Sequence, residues 1–328
     1  MNYIGSKQKL SDFIFENVSE VVGDIKNKVF CDLFAGTGII GRTFKPSVKS
    51  VISNDLEYYS YVLNKHYIEN TSIEASTIDI IKTLNELEPK EGFIFNEYGD
   101  QGSSNRLYFS TSNAKKIDAI RMYLESIRTS LRDQQYYFLL CSVLESSDKV
   151  ANTASVYGAY LKALKKSASN DLVVEPADIV VGGSNHKVYN EDANTLIQKI
   201  QGDILYLDPP YNERQYGANY HLLNTIAKYD SFKPKGITGL REYNKSNYCI
   251  QGRVFQSFYN LIKNAKFQYI FLSYNNEGLM NDGDIRRTMS RFGEYSLVTK
   301  KYQRFKADSS REHTSDSVTE YLHILKKF

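Results

Sequence analysis

Tryptophan is absent from this sequence, and its 328 residues include only three cysteines and six prolines. Cys31, Cys141 and Cys249 lie far apart without metal-ligand spacing, so neither a zinc site nor a disulfide framework is expected. No apolar run approaches the ~20 residues that a membrane helix requires, and the segment after Met1 is polar rather than signal-like. The expectation is a reduced, soluble, cytoplasmic protein with no membrane partner and no metal. A charge excess is missing too: 41 Lys and Arg stand against 38 Asp and Glu, a net charge of +3. That balance is too even to announce a nucleic-acid binder, whose usual signal is a strongly basic domain or face. Repeats and low-complexity tracts are also lacking, and 41% hydrophobic with 24% charged residues excludes wholesale disorder. What is abundant is tyrosine, at 26 residues, and two of the six prolines are adjacent.

The length suits two domains. Apolar residues at helical spacing over Lys9 to Val22 predict a helix, followed by a short strand over Lys28 to Phe34 and a helix from Ile39. A second strand over Lys49 to Asn54 ends at Asp55, and a helix covers Glu57 to Asn70. This alternation predicts a nucleotide-binding α/β half. From about 71 to 180 the pattern changes. Gly92, Gly99 and Gly102 lie among Asn, Ser and Asp in an irregular connection, followed by helices over Asn113 to Thr129 and Gln134 to Leu164, the latter with a break near Asn152. Parallel-sheet regularity is missing here, so 71–180 is expected to be an inserted domain and 1–70 with 181–328 to form the other. Strands resume at His186 to Asn190, Asp203 to Leu207 and Phe267 to Ser273. Tyr295 to Phe305 and Val318 to Lys326 predict a terminal hairpin around a charged loop.

Four features carry chemistry. Asp32-Leu33-Phe34-Ala35-Gly36-Thr37-Gly38 ends the first strand, where glycines let the backbone turn tightly beside a ligand and the next helix offers free N–H groups. By itself this is also compatible with an ordinary strand-to-helix turn. Asp55 lies at the end of the next strand, where an acid can hold ribose hydroxyls or merely cap the helix from Glu57. Asp208-Pro209-Pro210-Tyr211 follows the apolar strand. Its prolines remove two N–H donors, leaving a rigid turn that presents acceptors. An exocyclic aromatic amine is a poor nucleophile because its lone pair is delocalised. A carboxylate at Asp208 and the carbonyl of Pro209, accepting its two N–H groups, would localise and aim that lone pair, while Tyr211 stacks on the base. The plainer alternative is a strand exit with a buried tyrosine. Tyr3-Ile4-Gly5-Ser6-Lys7 precedes the first helix, which Ser6 can cap. An aromatic and a lysine there can equally flank a cofactor with a carboxylate and an adenine.

Together these residues resemble the adenine-N6 DNA methyltransferases of the Dam-like group, in which a recognition insert lies between the Gly loop and DPPY. DPPYNERQYGANYHLL (Asp208 to Leu223), SDKVANTASVYGAYLK (Ser147 to Lys162) and the terminal RFKADSSREHTSDSVTEYLHILKK are similar to methylases of FokI-type and related type II restriction–modification systems. The resemblance covers essentially the whole chain. It implies a Rossmann-like methyltransferase fold: a mixed seven-stranded sheet with helices on both faces plus a mainly helical recognition insert, 71–180. It also implies S-adenosyl-L-methionine as cofactor and double-stranded DNA as partner, with a cognate restriction endonuclease acting at the same site. Tyr3 and Lys7 match the N-terminal cofactor motif; Asp32, Phe34, Ala35, Gly36 and Gly38 the glycine loop; Asp55 the ribose-holding acid, with Leu56 against the adenine ring. Asp192 matches the short acidic motif before DPPY. Asp208, Pro209, Pro210 and Tyr211 match the catalytic motif, which acts on an adenine flipped out of the duplex.

DNA contacts are expected from Lys301, Arg304, Lys306 and Arg311 in the C-terminal loop, although a short charged loop is commonly just solvated. Tyr216 and Asn219, after DPPY, are expected to fill or support the space left by the base, or else to pack the following helix. Ala151 to Lys162 reads as an amphipathic core helix or as part of the DNA face, and His221 as a packing residue. Two other functions compete. An RNA adenine methyltransferase would generally carry Asn in place of Asp208 and lack the insert. A silent DNA-recognition subunit has no need of the Tyr3, Lys7, Asp55 and Asp208 set.

Overall fold

The apolar runs of the first and last parts of the chain pair into one sheet. The computed structural model describes residues 6–154, 156–303 and 317–328. Its strands are β1 (Val29–Asp32), β2 (Ser50–Asn54), β3 (Lys187–Tyr189), β4 (Gln201–Leu207), β5 (Lys266–Asn275), β6 (Gly293–Gln303) and β7 (Ser317–Lys327). They lie in the order β3-β2-β1-β4-β5-β7-β6. β1 pairs in parallel with β2 and β4, β2 with β3, and β4 with β5, whereas β7 runs against both β5 and β6. Every residue of β2 is buried, as expected of a parallel strand covered on both faces.

Strand alternation sorts the side chains to two faces. Cys31, Leu205, Leu207, Ile270 and Leu272 meet Val254, Phe258, Leu261 and Ile262 of helix Gln251–Asn264, with Ile285 and Met289 of helix Asp282–Met289. Neighbouring strand positions point the other way, where Phe30 stacks on Phe44 of helix Ile39–Phe44 at 4.0 Å and lies 6.5 Å from Tyr206. Helix Ser11–Val22 buries Ile14 and Val18, spaced i and i+4. The mixed seven-stranded sheet with helices on both faces is therefore present. Sequence reasoning missed the helices at Gln251–Asn264 and Asp282–Met289.

The chain divides into two compact units. One comprises Ser6–Leu56, Val180–Gln215 and Asn244–Phe328 and holds the sheet; the other comprises Glu57–Ile179 with Tyr216–Tyr243. The second unit is mainly helical, built on Tyr58–Asn64, Ala75–Glu86, Thr111–Ser126, Asp133–Lys149 and His221–Lys228. Two of its details correct the sequence reading. The glycine-rich connection contains helices at Ala75–Glu86 and Phe93–Tyr98. The helix expected to reach Leu164 stops at Lys149, and Ala151 to Lys162 is a loop rather than an amphipathic helix. Asn152, fully buried, explains this: its amide donates to the carbonyls of Leu107 and Leu161, and its Oδ1 accepts from the Lys165 N–H. An asparagine that bonds backbone in this way competes with helix continuation. Ser155 lies outside the described residues.

Candidate active site

The strand order reverses direction between β1 and β4, and ligands of open α/β sheets gather outside the carboxyl ends of strands at such a point. β1 delivers Asp32 and the glycine loop there, and β4 delivers Asp208. Gly36 and Gly38 take φ of 52° and 76°, a left-handed conformation that favours glycine. Asp55, at the end of β2, accepts the Gly36 N–H at 2.8 Å and so props the loop. The helix that follows has Glu57 at its N-cap and no side-chain cap, so Asp55 does not play the capping role. Asn54, buried, donates to the carbonyls of Leu33 and Glu191 and accepts the Glu191 N–H, tying the ends of β1 and β3 together. Phe34 packs edge-on against Tyr248 at 4.9 Å. Ala35 is buried, its N–H bonded to the Asn54 carbonyl, while Leu56 is half-buried.

Asp32 is 1% exposed. Its Oδ2 accepts the Gly41 N–H at 3.2 Å, and its Oδ1 is buried without a hydrogen-bond partner among the described residues. Burial, followed by the negative charge of Asp208, pushes its carboxyl up to about 8. Asp192 is exposed and caps helix Ala193–Leu196 by accepting the Thr195 N–H at 3.0 Å.

Around Asp208 the structure assembles residues from three distant parts of the chain. Lys7, 5% exposed, places Nζ 2.9 Å from Asp208 Oδ1 and 3.3 Å from Oε1 of Glu320, and donates to the Tyr211 hydroxyl. That hydroxyl donates to Asp208 Oδ1 at 2.5 Å. The Tyr211 ring meets Tyr274 edge-on at 5.1 Å, and its carbonyl accepts from Leu279 N–H. Burial and the charges of Asp208 and Glu320 hold the Tyr211 phenol well above its usual range, so it stays a donor. Pro209 is buried and Pro210 half-buried, and neither has an N–H to offer. The lysine of the N-terminal motif thus joins the DPPY turn. Glu320, on β7, is not among the residues expected from the sequence, although one signal was available. An acid stands in register with Leu322 and Ile324 on the buried side of an alternating strand.

Lys301 is exposed on β6. Tyr216 and Asn219 belong to the helical unit, where Tyr216 stacks with Tyr220 at 6.1 Å and the Asn219 carbonyl accepts the Tyr157 N–H at 2.7 Å. His221 is fully buried and bonds the Tyr157 carbonyl through Nε2. Burial lowers its pKa to about 4, which suits the packing role expected of it. Tyr3, Arg304, Lys306 and Arg311 lie outside the described residues.

The sheet order and the propped glycine loop define a Rossmann-like methyltransferase fold. Comparison with known proteins narrows this class. Residues 3–288 match the D12 class N6 adenine-specific DNA methyltransferases, and the chain belongs to that family. It is 57% identical to the type II methyltransferase M.NlaIII of Neisseria lactamica, over 100% of this chain and 99% of that protein. It is 40% identical to M.CviAII of Paramecium bursaria Chlorella virus 1, over 99% and 98%. With M.FokI of Planomicrobium okeanokoites the identity is also 40%, over 100% of this chain but 53% of the longer relative. Among the described residues no helix is long and apolar enough to cross a membrane.

Proposed function

We infer that this adenine-specific methyltransferase is the protective methylase of a type II restriction–modification system, acting on duplex DNA in the cytoplasm beside a cognate endonuclease of the same specificity. The methyl donor is S-adenosyl-L-methionine, which when bound supplies an electrophilic methyl group on a sulfonium. The glycine loop, with Gly36 and Gly38 at positive φ, fits such a group, and Phe34, Ala35 and Asp32 line or support it. Asp55 would hold the ribose, Leu56 and Asp192 the adenine, and Tyr3 and Lys7 complete the cofactor side. No metal is required, because the chain needs only to orient two bound reactants.

The observation that carries this reading is the turn after β4. Asp208 and the Pro209 carbonyl present acceptors with no competing proline N–H, the arrangement an exocyclic amine needs. Asp208 and Pro209 receive the two amine hydrogens, Asp208 takes the proton that the nitrogen releases as it is methylated, and Pro210 and Tyr211 hold the base in place. The adenine must leave the helix to reach this turn. Segment 71–180 is the target-recognition part, and Tyr216, Asn219, Lys301, Arg304, Lys306 and Arg311 contact DNA.

Incubating the purified protein with S-adenosyl-L-methionine and unmethylated genomic DNA, then sequencing with modification detection, tests the reading. N6-methyladenine at one short site is the expected product; methyl groups on cytosine N4 or on RNA alone would refute it. Asp208→Ala should abolish transfer while leaving DNA binding nearly intact, as read by filter binding. Near-normal methylation by that variant would remove Asp208 from the catalytic role.

A further inference from the structure

Glu320 is 1% exposed, and one of its carboxylate oxygens has no hydrogen-bond partner among the described residues. Burying an under-bonded carboxylate is costly, so its place beside Asp208 calls for a use. Its Oε1 lies 3.3 Å from Lys7 Nζ and 3.3 Å from the Tyr211 hydroxyl. The charged and titratable groups facing it are Lys7, Asp208 and Tyr211, with Tyr206 and Asp32 on the same side of the sheet. Across the ladders its partners are Asn275 and Lys300, whose Nζ is 5.0 Å from the Phe13 ring.

In this arrangement Oδ1 of Asp208 is occupied: Lys7 and the Tyr211 hydroxyl both bond it. An incoming adenine amine that bonds this oxygen must displace one of them. If the amine displaces Lys7, the ammonium must keep an anionic partner in a buried place, since an isolated buried charge is strongly unfavourable. Glu320, already in contact and with an oxygen to spare, is such a partner. We propose that Glu320 is a positioning residue that takes over the Lys7 ammonium when Asp208 turns to the target amine. The proposal rests on the role given to Asp208 above. Burial raises the Glu320 carboxyl above the ordinary glutamate range, opposed by the Lys7 ammonium and helped by the charge of Asp208. Protonating it as the pH falls therefore has the same effect as removing its charge: Lys7 stays on Asp208.

The test is single-turnover methylation by the full-length protein, on genomic DNA lacking N6-methyladenine, measured from acid to neutral pH. Glu320→Gln keeps the shape and removes the charge. Its rate should fall about tenfold or more at neutral pH, with KM for DNA and for S-adenosyl-L-methionine within about twofold of the parent. The acid limb of the parent profile should flatten in this variant. Glu320→Asp restores the charge one methylene short, and should recover part of the rate together with an acid limb. A Gln variant with the parent's rate and acid limb overturns the proposal, as does an Asp variant no faster than Gln. Should Gln fail to fold by thermal melting, Asp decides alone: an unchanged rate and limb overturn the proposal, and a slowed rate with a displaced limb supports it. Loss of activity in Asp208→Ala alongside a normal Glu320→Gln would leave the function standing and remove only the Glu320 role.

Discussion

Asp32 shares a sheet face with Tyr206 and carries one buried oxygen without a partner among the described residues. Its carboxyl is raised to about 8, first by burial and then by the charge of Asp208. In the unfolded chain the same group ionises near the ordinary aspartate value of 3.8. Between those values the folded state holds a proton that the unfolded state has lost. The stability tied to Asp32 is thus fully present below the unfolded value and is lost as pH rises through about 8, at a limiting slope of about 1.4 kcal/mol per pH unit. Asp32→Asn should lack this slope. Thermal melting without cofactor from about pH 5 to about pH 8 checks it; parallel pH dependences in parent and variant would sink the assignment. Residue identity alone marked Asp32 as part of the loop. Its protonation belongs to its depth in the sheet, which a single sequence does not display.

The loop after helix Asp133–Lys149 depends on its buried asparagine rather than on regular structure. Asn152 closes three hydrogen bonds, two to carbonyls and one from an N–H, and replacing it leaves those groups short of partners in a buried place. Asn152→Ala should destabilise the protein by about 3 kcal/mol, because each orphaned polar group carries a desolvation penalty. The control Ser169→Ala, which removes an exposed bond, should cost less than about 0.5 kcal/mol. Urea unfolding of both variants measures the difference, and equal stabilities would contradict the account. The elements that sequence periodicity located best are those whose face is decided by a local apolar pattern, such as Ser11–Val22 and β4. The elements it missed, such as Phe93–Tyr98, are set by distant partners: Asp118 accepts the N–H groups of Ile94 and Phe95 at that helix start.

At the scale of the whole molecule, β7 is inserted between β5 and β6 and runs against both. It contributes Leu322, Ile324 and Leu325 to the core and Glu320 to the site. Ending the chain after Phe292 would remove both strands and bare the hydrogen-bonding edge of β5, with Ile270 and Leu272 uncovered on one side. Such an edge pairs with other chains. The truncated protein is expected to aggregate on size-exclusion chromatography; a soluble monomer of normal far-ultraviolet circular dichroism would disprove this dependence.

The sequence alone determined the sheet-forming runs, the glycine loop, the acid after β2 and the paired prolines after β4. Each is a contiguous signal, since strand burial, backbone turning and the loss of N–H donors act over a few neighbouring residues. The even global charge said little about DNA, because a total has no positions in it. Tertiary structure decided the rest. It brought Lys7 and Glu320, 313 residues apart, to the same carboxylate. It gave Asp55 the loop instead of the helix cap, and ended the helix at Lys149. These outcomes turn on which partner a polar group meets once water is removed, and that choice exists only when the whole sheet has formed.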